Sequence, residues 1–416
     1  MKKIITNYKQ TLILIGALII GAIAGLVFKE KAAIVRPLGD LFLNMMFVLI
    51  IPLIFFTLTT SIAKIKQPKR IGKVLGGIFG VFIITSLVAV TIGLIGTYSF
   101  KLVDNADHDA LIKNLGPEES TDVELNILER TVSVISVNDF SKILSKENIV
   151  ALVVFAIFFG LAINKVGKDA EPVVKFLEAG NKIIMKLVDF AFIYAPIGLG
   201  CYFAALIGTF GGEIAVGYLK TFIIYTVLAI VFYFVIYTLY AFIAGGKKGV
   251  KAFYKNVLPA TATSISTCSS AASIPVNISC AKKIGVSDDI AETIIPLGTS
   301  FHKDGSIIGS VFKIMFLAYL FGTNIHSTSG IFSVIGVSLI ATLLIAAVPV
   351  GGGTISEMLI ISMMGFPVGA LPILTVIATI IDPPATCLNV VGDTAASMLT
   401  ARFVDGKEWM NNKKLS

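Results

Sequence analysis

Apolar segments long enough to cross a bilayer recur along almost the whole chain, and that recurrence narrows its fold more than any motif does. A membrane helix needs about 20 apolar residues. Backbone in lipid must satisfy its own hydrogen bonds, which leaves helices and closed barrels. Candidate spans fall near 10–28, 38–63, 74–100, 149–164, 183–208 and 219–244, with two more near 305–322 and 370–400. Hydrophobic residues make up 56% of the 416 and charged residues only 14%, whereas soluble domains run nearer half apolar and a quarter charged. The pattern implies an all-α polytopic membrane protein forming one unit over 1–416. Its first apolar run continues to Phe28 without an A-x-A cleavage pattern, so it reads as a retained span rather than a signal peptide.

Two other apolar stretches, 250–282 and 331–366, are interrupted by Gly, Pro, Ser and Thr. Each is long enough for two half-spans. Turn formers sit in the middle: Ser269-Ser270-Ala271-Ala272-Ser273-Ile274-Pro275 in the first and Pro349-Val350-Gly351-Gly352-Gly353 in the second. A single kinked helix at each place is the simpler alternative. Paired interruptions of this kind point to a transporter's binding site, because irregular backbone at membrane depth survives only when buried or lining a cavity. Lys2, Lys3 and Lys9, the group Lys64, Lys66, Lys69, Arg70 and Lys73, and the group Lys247, Lys248, Lys251 and Lys255 are cytoplasmic by the positive-inside rule. The acidic loop from Asp104 to Glu129 then lies outside. With eight spans both termini are cytoplasmic, and the two broken segments enter from opposite sides.

The net charge of +8 is no nucleic-acid signal, because the basic residues sit in short connections rather than on one helical face. The four cysteines, Cys201, Cys268, Cys280 and Cys387, form no CxxC pair, so neither a disulfide framework nor a zinc site is indicated.

Three polar groups interrupt the apolar pattern. The first is the Ser-rich turn with Ser269 and Ser270, whose free N–H groups at a half-helix end would attract a carboxylate. The second is Gly298-Thr299-Ser300-Phe301-His302-Lys303-Asp304-Gly305-Ser306, where charges amid apolar residues and flanking glycines predict unwound helix. The third is Asp382, Thr386, Asn389 and Asp393, spaced 4, 3 and 4 on one helical face. An aspartate at the bilayer centre costs about 2.5–3.5 kcal/mol on insertion scales, so it faces a cavity or a cation.

Together these groups resemble the dicarboxylate/amino acid:cation symporter family, the glutamate transporter homologues, over nearly the whole chain. Asn389-Val390-Val391-Gly392-Asp393 is similar to the family's Asn-Val-Thr-Gly-Asp motif, and His302 to Ser306 sits where the family has Asn-Met-Asp-Gly-Thr. Residues 269–276 and 348–353 resemble its two hairpin tips, and Thr85-Ser86 a sodium-binding pair. The resemblance implies eight transmembrane helices with two opposed re-entrant hairpins at 250–282 and 331–366. It also implies a homotrimeric scaffold (7–72 and 130–210) and a mobile transport part (73–104 and 214–404) that moves in an elevator-type cycle. Carried over by position, it implies that Asp382 binds the substrate's amino group, with Thr386, Asn389, Ser269, Ser270, Ser306, Gly351 and Gly352 around it. Asp393 with Gly298, His302 and Asn389, and Asp304 with Thr85 and Ser86, would form cation sites. Carboxylates and carbonyls suit a hard monovalent ion rather than a transition metal.

Departures from the family shape the expectation. Ala385 and Cys268 stand where arginines can appear in carriers of acidic amino acids, and a bidentate arginine is hard to replace. A neutral substrate is therefore expected. Lys303 replaces a methionine beside a sodium site, so a tethered ammonium there would weaken sodium coupling. His302, Lys303 and Glu357 are the candidates for altered coupling, Glu357 alternatively being a structural partner of a basic group.

The resulting reading is a symporter of a small neutral or polar amino acid, driven by sodium, protons or both, with no organic cofactor. It would lie in a bacterial or archaeal cytoplasmic membrane, with lipid, its substrate and two further copies of the chain as partners. An acidic amino acid or dicarboxylate symporter with altered cation coupling is one alternative, and an ion-conducting channel another. An intramembrane enzyme would need a base beside Cys387, and that segment holds no histidine.

Overall fold

A computed structural model describes residues 2–63, 71–103, 132, 136–145, 148–210, 212–343 and 352–411 of the protein. Every regular element among the described residues is helical. The first five long helices are α1 (Lys2–Phe28), α2 (Arg36–Ala63), α3 (Ile71–Ser99), α4 (Ile149–Val166) and α5 (Glu171–Phe210). They are followed by α6 (Gly212–Val231), α7 (Tyr237–Thr267), α8 (Ser270–Ile284), α9 (Asp288–Phe301) and α10 (Asp304–Phe321). The last three are α11 (Thr328–Leu343), α12 (Gly352–Met364) and α13 (Leu371–Val404).

By length and composition, four stretches of the described residues can cross a membrane: Gly77–Ser99, Ile214–Thr267, Ile290–Phe321 and Val368–Val404. Faces left uncovered by protein agree with that setting. On α5, Ile183, Leu187, Phe190, Ile193 and Ile197 are exposed at helical spacing, as are Ile19, Ile20, Ile23 and Val27 on α1. An apolar face of that extent is disfavoured in water and is the side a bilayer covers.

The helices pack in two groups. In the first, α1, α2 and α4 pack against each other or against α5. A Cβ on Gly21 would run into the backbone of Gly200, so α1 and α5 approach closely because both positions are glycine. In the second group α13 is central, contacting α3, α7, α8, α9, α10 and α12. This group holds nearly every polar residue singled out above.

The local structure refines several expected boundaries. The span expected at 183–208 is the C-terminal part of the 40-residue α5. The span expected at 219–244 does not end before the first broken segment: α6 passes through a π-helical turn, Phe232–Ile236, into α7. Within α7 the chain bends at Gly245 and Gly246, the latter at φ 59°, a left-handed backbone open to glycine at little cost. The first broken segment is two helices packed on one another, α7 and α8, with Cys268 and Ser269 between them. α11 and α12 likewise pack together. Pro349, Val350 and Gly351 lie outside the described residues, as do Lys64, Lys66, Lys69, Arg70 and Asp104 to Glu129, while Gly352 opens α12.

Cys268 terminates α7 in a left-handed conformation, φ 46° and ψ 35°. A side chain there costs roughly 1–2 kcal/mol that glycine avoids. Cys268→Gly should therefore raise the thermal stability of the purified protein by about 1 kcal/mol at its midpoint. Unchanged or reduced stability would show that the thiol makes a compensating contact.

Candidate functional site

The 4-3-4 stripe lies on α13, which runs unbroken through Pro383 and Pro384. Its four members have different neighbours, and those neighbours divide the stripe into two parts.

At the Asp382 end, Thr386 Oγ1 donates to Asp382 Oδ1 at 3.0 Å. Among the described residues, no cationic side chain lies within pairing distance of Asp382. One turn on, Asn389 and Ser306 are joined twice. Ser306 N donates to Asn389 Oδ1 at 3.1 Å, and Asn389 Nδ2 donates to Ser306 Oγ at 3.0 Å. The close fit of α10 on α13 depends on Gly305, because a Cβ there would strike the Ala385 carbonyl. Ala385 is itself buried, its backbone filled against by Gly305.

At the Asp393 end, α13 faces the break between α9 and α10. His302 and Lys303 are the two residues between α9 and α10, in extended backbone (φ −121°, ψ 110° and φ −143°, ψ 73°). The break turns the fully buried His302 ring between two carboxylates. Its Nδ1 lies 3.0 Å from Asp393 Oδ1, and its Nε2 lies 3.2 Å from Asp304 Oδ1 and 2.8 Å from Thr85 Oγ1. The Thr85 hydroxyl donates to helix carbonyls of Val81 or Phe82, so its oxygen accepts from Nε2. With both nitrogens facing acceptors, the geometry is satisfied by an imidazole carrying a proton on each. Phe82 stacks on the ring, centroids 4.5 Å apart.

Asp393 Oδ2 and Ser86 Oγ are buried without a hydrogen-bond partner. Buried polar atoms are normally paired, and oxygens of this kind fit a hard cation. Gly298 belongs to the same wall: a Cβ there would collide with the Asp393 carboxylate. Lys303 is buried beside this group, and its ammonium acts electrostatically on Asp393. The structure thus brings Thr85, Gly298, His302, Lys303, Asp304 and Asp393 together at one end, with Ser86 the next residue on α3, and Ser306, Asp382, Ala385, Thr386 and Asn389 along the other.

The remaining predicted residues sit elsewhere. The Ser269 hydroxyl caps α8 by accepting from Ala272 N at 3.2 Å, and Ser270 begins that helix. Gly351 lies outside the described residues. Glu357 faces Lys313 on α10, Nζ to Oε1 3.1 Å, the structural pairing that was its alternative.

Sequence reasoning missed four supporting residues. Tyr237 Oη, just after the π-helical turn, lies 2.7 Å from Leu388 O and 3.2 Å from Asp304 Oδ2. Tyr225 donates to Gly305 O at 2.7 Å. Asn277 of α8 donates to Val390 O at 2.7 Å and accepts from Thr394. Phe82 is the fourth. The sequence signal for the tyrosines is the run Tyr225, Tyr233, Tyr237 and Tyr240 within one apolar span. Phenolic groups at membrane depth need polar partners.

Known proteins resemble this chain over most of its length. The sequence profile of the sodium:dicarboxylate symporter family matches residues 11–403. A proton/sodium-glutamate symport protein of Bacillus caldotenax is 26% identical over 93% of this chain and 92% of its own length. An L-cystine uptake protein of Bacillus cereus is 25% identical over 88% of this chain and 81% of its own. A symporter of Haemophilus influenzae is 27% identical over 96% of both. These are transport proteins, not enzymes. A polytopic helical chain with two buried carboxylates around a break and a third on the same stripe therefore belongs to the sodium:dicarboxylate symporter family.

Proposed function

We propose that this cation-coupled symporter carries a small neutral or polar amino acid, using sodium, protons or both. One observation carries the reading. Asp304 and Asp393 are engaged with the imidazole of His302, while Asp382 on the same stripe forms no ion pair with a side-chain cation among the described residues. A half-buried carboxylate left in that state is completed by an external ammonium, and an amino acid brings one. Thr386, Asn389 and Ser306 supply the neighbouring hydrogen-bonding groups.

Ala385 and Cys268 provide no guanidinium for a second carboxylate, which favours a neutral side chain. The helix pairs α7–α8 and α11–α12 act as re-entrant hairpins that close the site from opposite sides. Ser269 and Ser270 lie at the tip of the first pair, and Gly352 opens the second helix of the other. The separate packing of α1, α2, α4 and α5 supports a fixed scaffold against which the α13-centred group moves. The three-copy assembly rests on the family resemblance, and the cytoplasmic termini on the positive-inside rule. His302 and Lys303 supply positive charge beside Asp393 that further sodium ions would otherwise supply.

Competition for uptake into proteoliposomes tests the substrate assignment. Unlabelled serine, alanine and threonine should suppress uptake of labelled L-serine, and L-glutamate should do so only weakly. Selective suppression by glutamate or another dicarboxylate would overturn it in favour of the acidic alternative.

A further inference from the structure

Beyond the site lies a charged pair that the transport reading does not use. α10 is buried along nearly all its length, yet Lys313 sits in its interior. Its ammonium pairs with Glu357 Oε1 of α12 at 3.1 Å, and both residues are buried. The Thr375 hydroxyl of α13 donates to Glu357 Oε2 at 2.7 Å. Ser310 Oγ, one turn back on α10, lies 3.2 Å from Thr342 Oγ1 of α11 and 3.5 Å from Ser356 Oγ of α12. One polar layer thus ties both helices of the second helix pair to the two helices that build the site.

Register connects this layer to the stripe. Ser306, Ser310 and Lys313 are spaced 4 and 3, so Lys313 continues the α10 face that meets Asn389. Thr375, Asp382 and Asn389 are spaced 7 and 7 on α13, so the stripe itself extends to Thr375. The contacts Gly305–Ala385 and Gly309–Ile381 show that the two helices run antiparallel, which places Lys313 level with Ile377, between Thr375 and Asp382. The Lys313 ammonium is close enough to act electrostatically on the Asp382 carboxylate.

Stability alone does not explain such a pair. Replacing a buried ion pair with apolar residues is often neutral or stabilising, whereas removing one partner is costly. An ion pair does what an apolar contact does not: it holds in a dry interface and dissolves once water enters, so it divides seated from unseated α12 sharply. Ionisable groups inside membrane helices are functional by default.

We propose that Lys313 and Glu357 are positioning residues forming an electrostatic latch, which seats α12 over the polar stripe and parts when the second helix pair opens the site. The inference rests on the gating reading given above. Hydrogen exchange of the Gly352–Met364 backbone in the full chain, in lipid nanodiscs, tests it. The doubly neutral variant Lys313→Met/Glu357→Met strands no charge and should keep its melting temperature. Without substrate its α12 should exchange roughly tenfold faster than wild type, while Pro383–Val404 stays unchanged. Dissociation of the amino acid carried (the probe being L-serine, L-glutamate or L-cystine, as uptake shows) should accelerate by a similar factor. The charge-swapped variant Lys313→Glu/Glu357→Lys should restore slow exchange. Wild-type exchange and dissociation rates in a folded doubly neutral variant would overturn the latch. Should saturating probe fail to slow α12 exchange in the wild type, the gating reading falls and takes the latch with it. Slowing by probe with no effect of the double substitution defeats the latch alone.

Discussion

Asp382→Asn is expected to abolish nearly all uptake while the protein remains folded and inserted. The carboxylate sits on α13 with Thr386 as its hydrogen-bond partner, and no cation of the described residues pairs with it. In the occupied site it would neutralise a buried ammonium, and removing one partner of such a pair costs about 3–5 kcal/mol. That corresponds to a loss of affinity of several hundred-fold or more, since about 1.4 kcal/mol is tenfold. The empty protein loses little, because the amide keeps the hydrogen bond with Thr386. Folding is checked by monodispersity and melting temperature, binding by scintillation proximity. Transport by the Asn variant with a KM near wild type would remove Asp382 from the substrate site.

The second large effect concerns the cations. His302 fills the space between Asp304 and Asp393, and Lys303 adds charge beside Asp393. Binding of an ion drives transport only through different affinities in different states, so a tethered charge in its place removes that ion from the coupling. The wild type should accordingly show shallow dependence on sodium. His302→Asn leaves two buried carboxylates without their imidazole, a change worth about 3–5 kcal/mol unless an external cation replaces it. Its melting temperature should rise steeply with sodium, by about 2.7 kcal/mol of stabilisation at a hundredfold excess over the dissociation constant. Lys303→Met should move the sodium titration of uptake in the same direction, less strongly. A steep, multi-ion dependence in the wild type, unaltered in both variants, would show that these side chains leave the cation sites as they are elsewhere in the family.

The parts of the site legible in the sequence are those encoded within one helix or one break. Spacing alone put Asp382, Thr386, Asn389 and Asp393 on a common face, and charged residues between glycines marked the unwinding at His302 and Lys303. What the sequence hid are partners that meet only through packing. Tyr237 lies 67 residues from Asp304, Lys313 lies 44 from Glu357, and Asn277 lies 113 from Val390. No local period relates such residues, since each is set by how α7, α8, α10 and α12 rest on α13. The continuity of α6 into α7 was also obscure. Apolar content falls after Ala244, which reads as a span end, yet the glycine bend lets the helix turn without ending. The 40-residue α5 extends well beyond its apolar core, because its N-terminal turns carry charged residues outside any hydropathy window.

Accumulation under imposed gradients is the most direct test of coupled symport. Proteoliposomes loaded with potassium buffer would receive labelled L-serine outside, with an inward sodium gradient, an inward proton gradient, both, or neither. The account predicts internal serine rising above the external level when either or both gradients are imposed, collapsing on addition of the matching ionophore, and absent with the Asp382→Asn variant. Mere equilibration of serine across the membrane, at the same rate under all four conditions, would contradict it and identify a passive pathway.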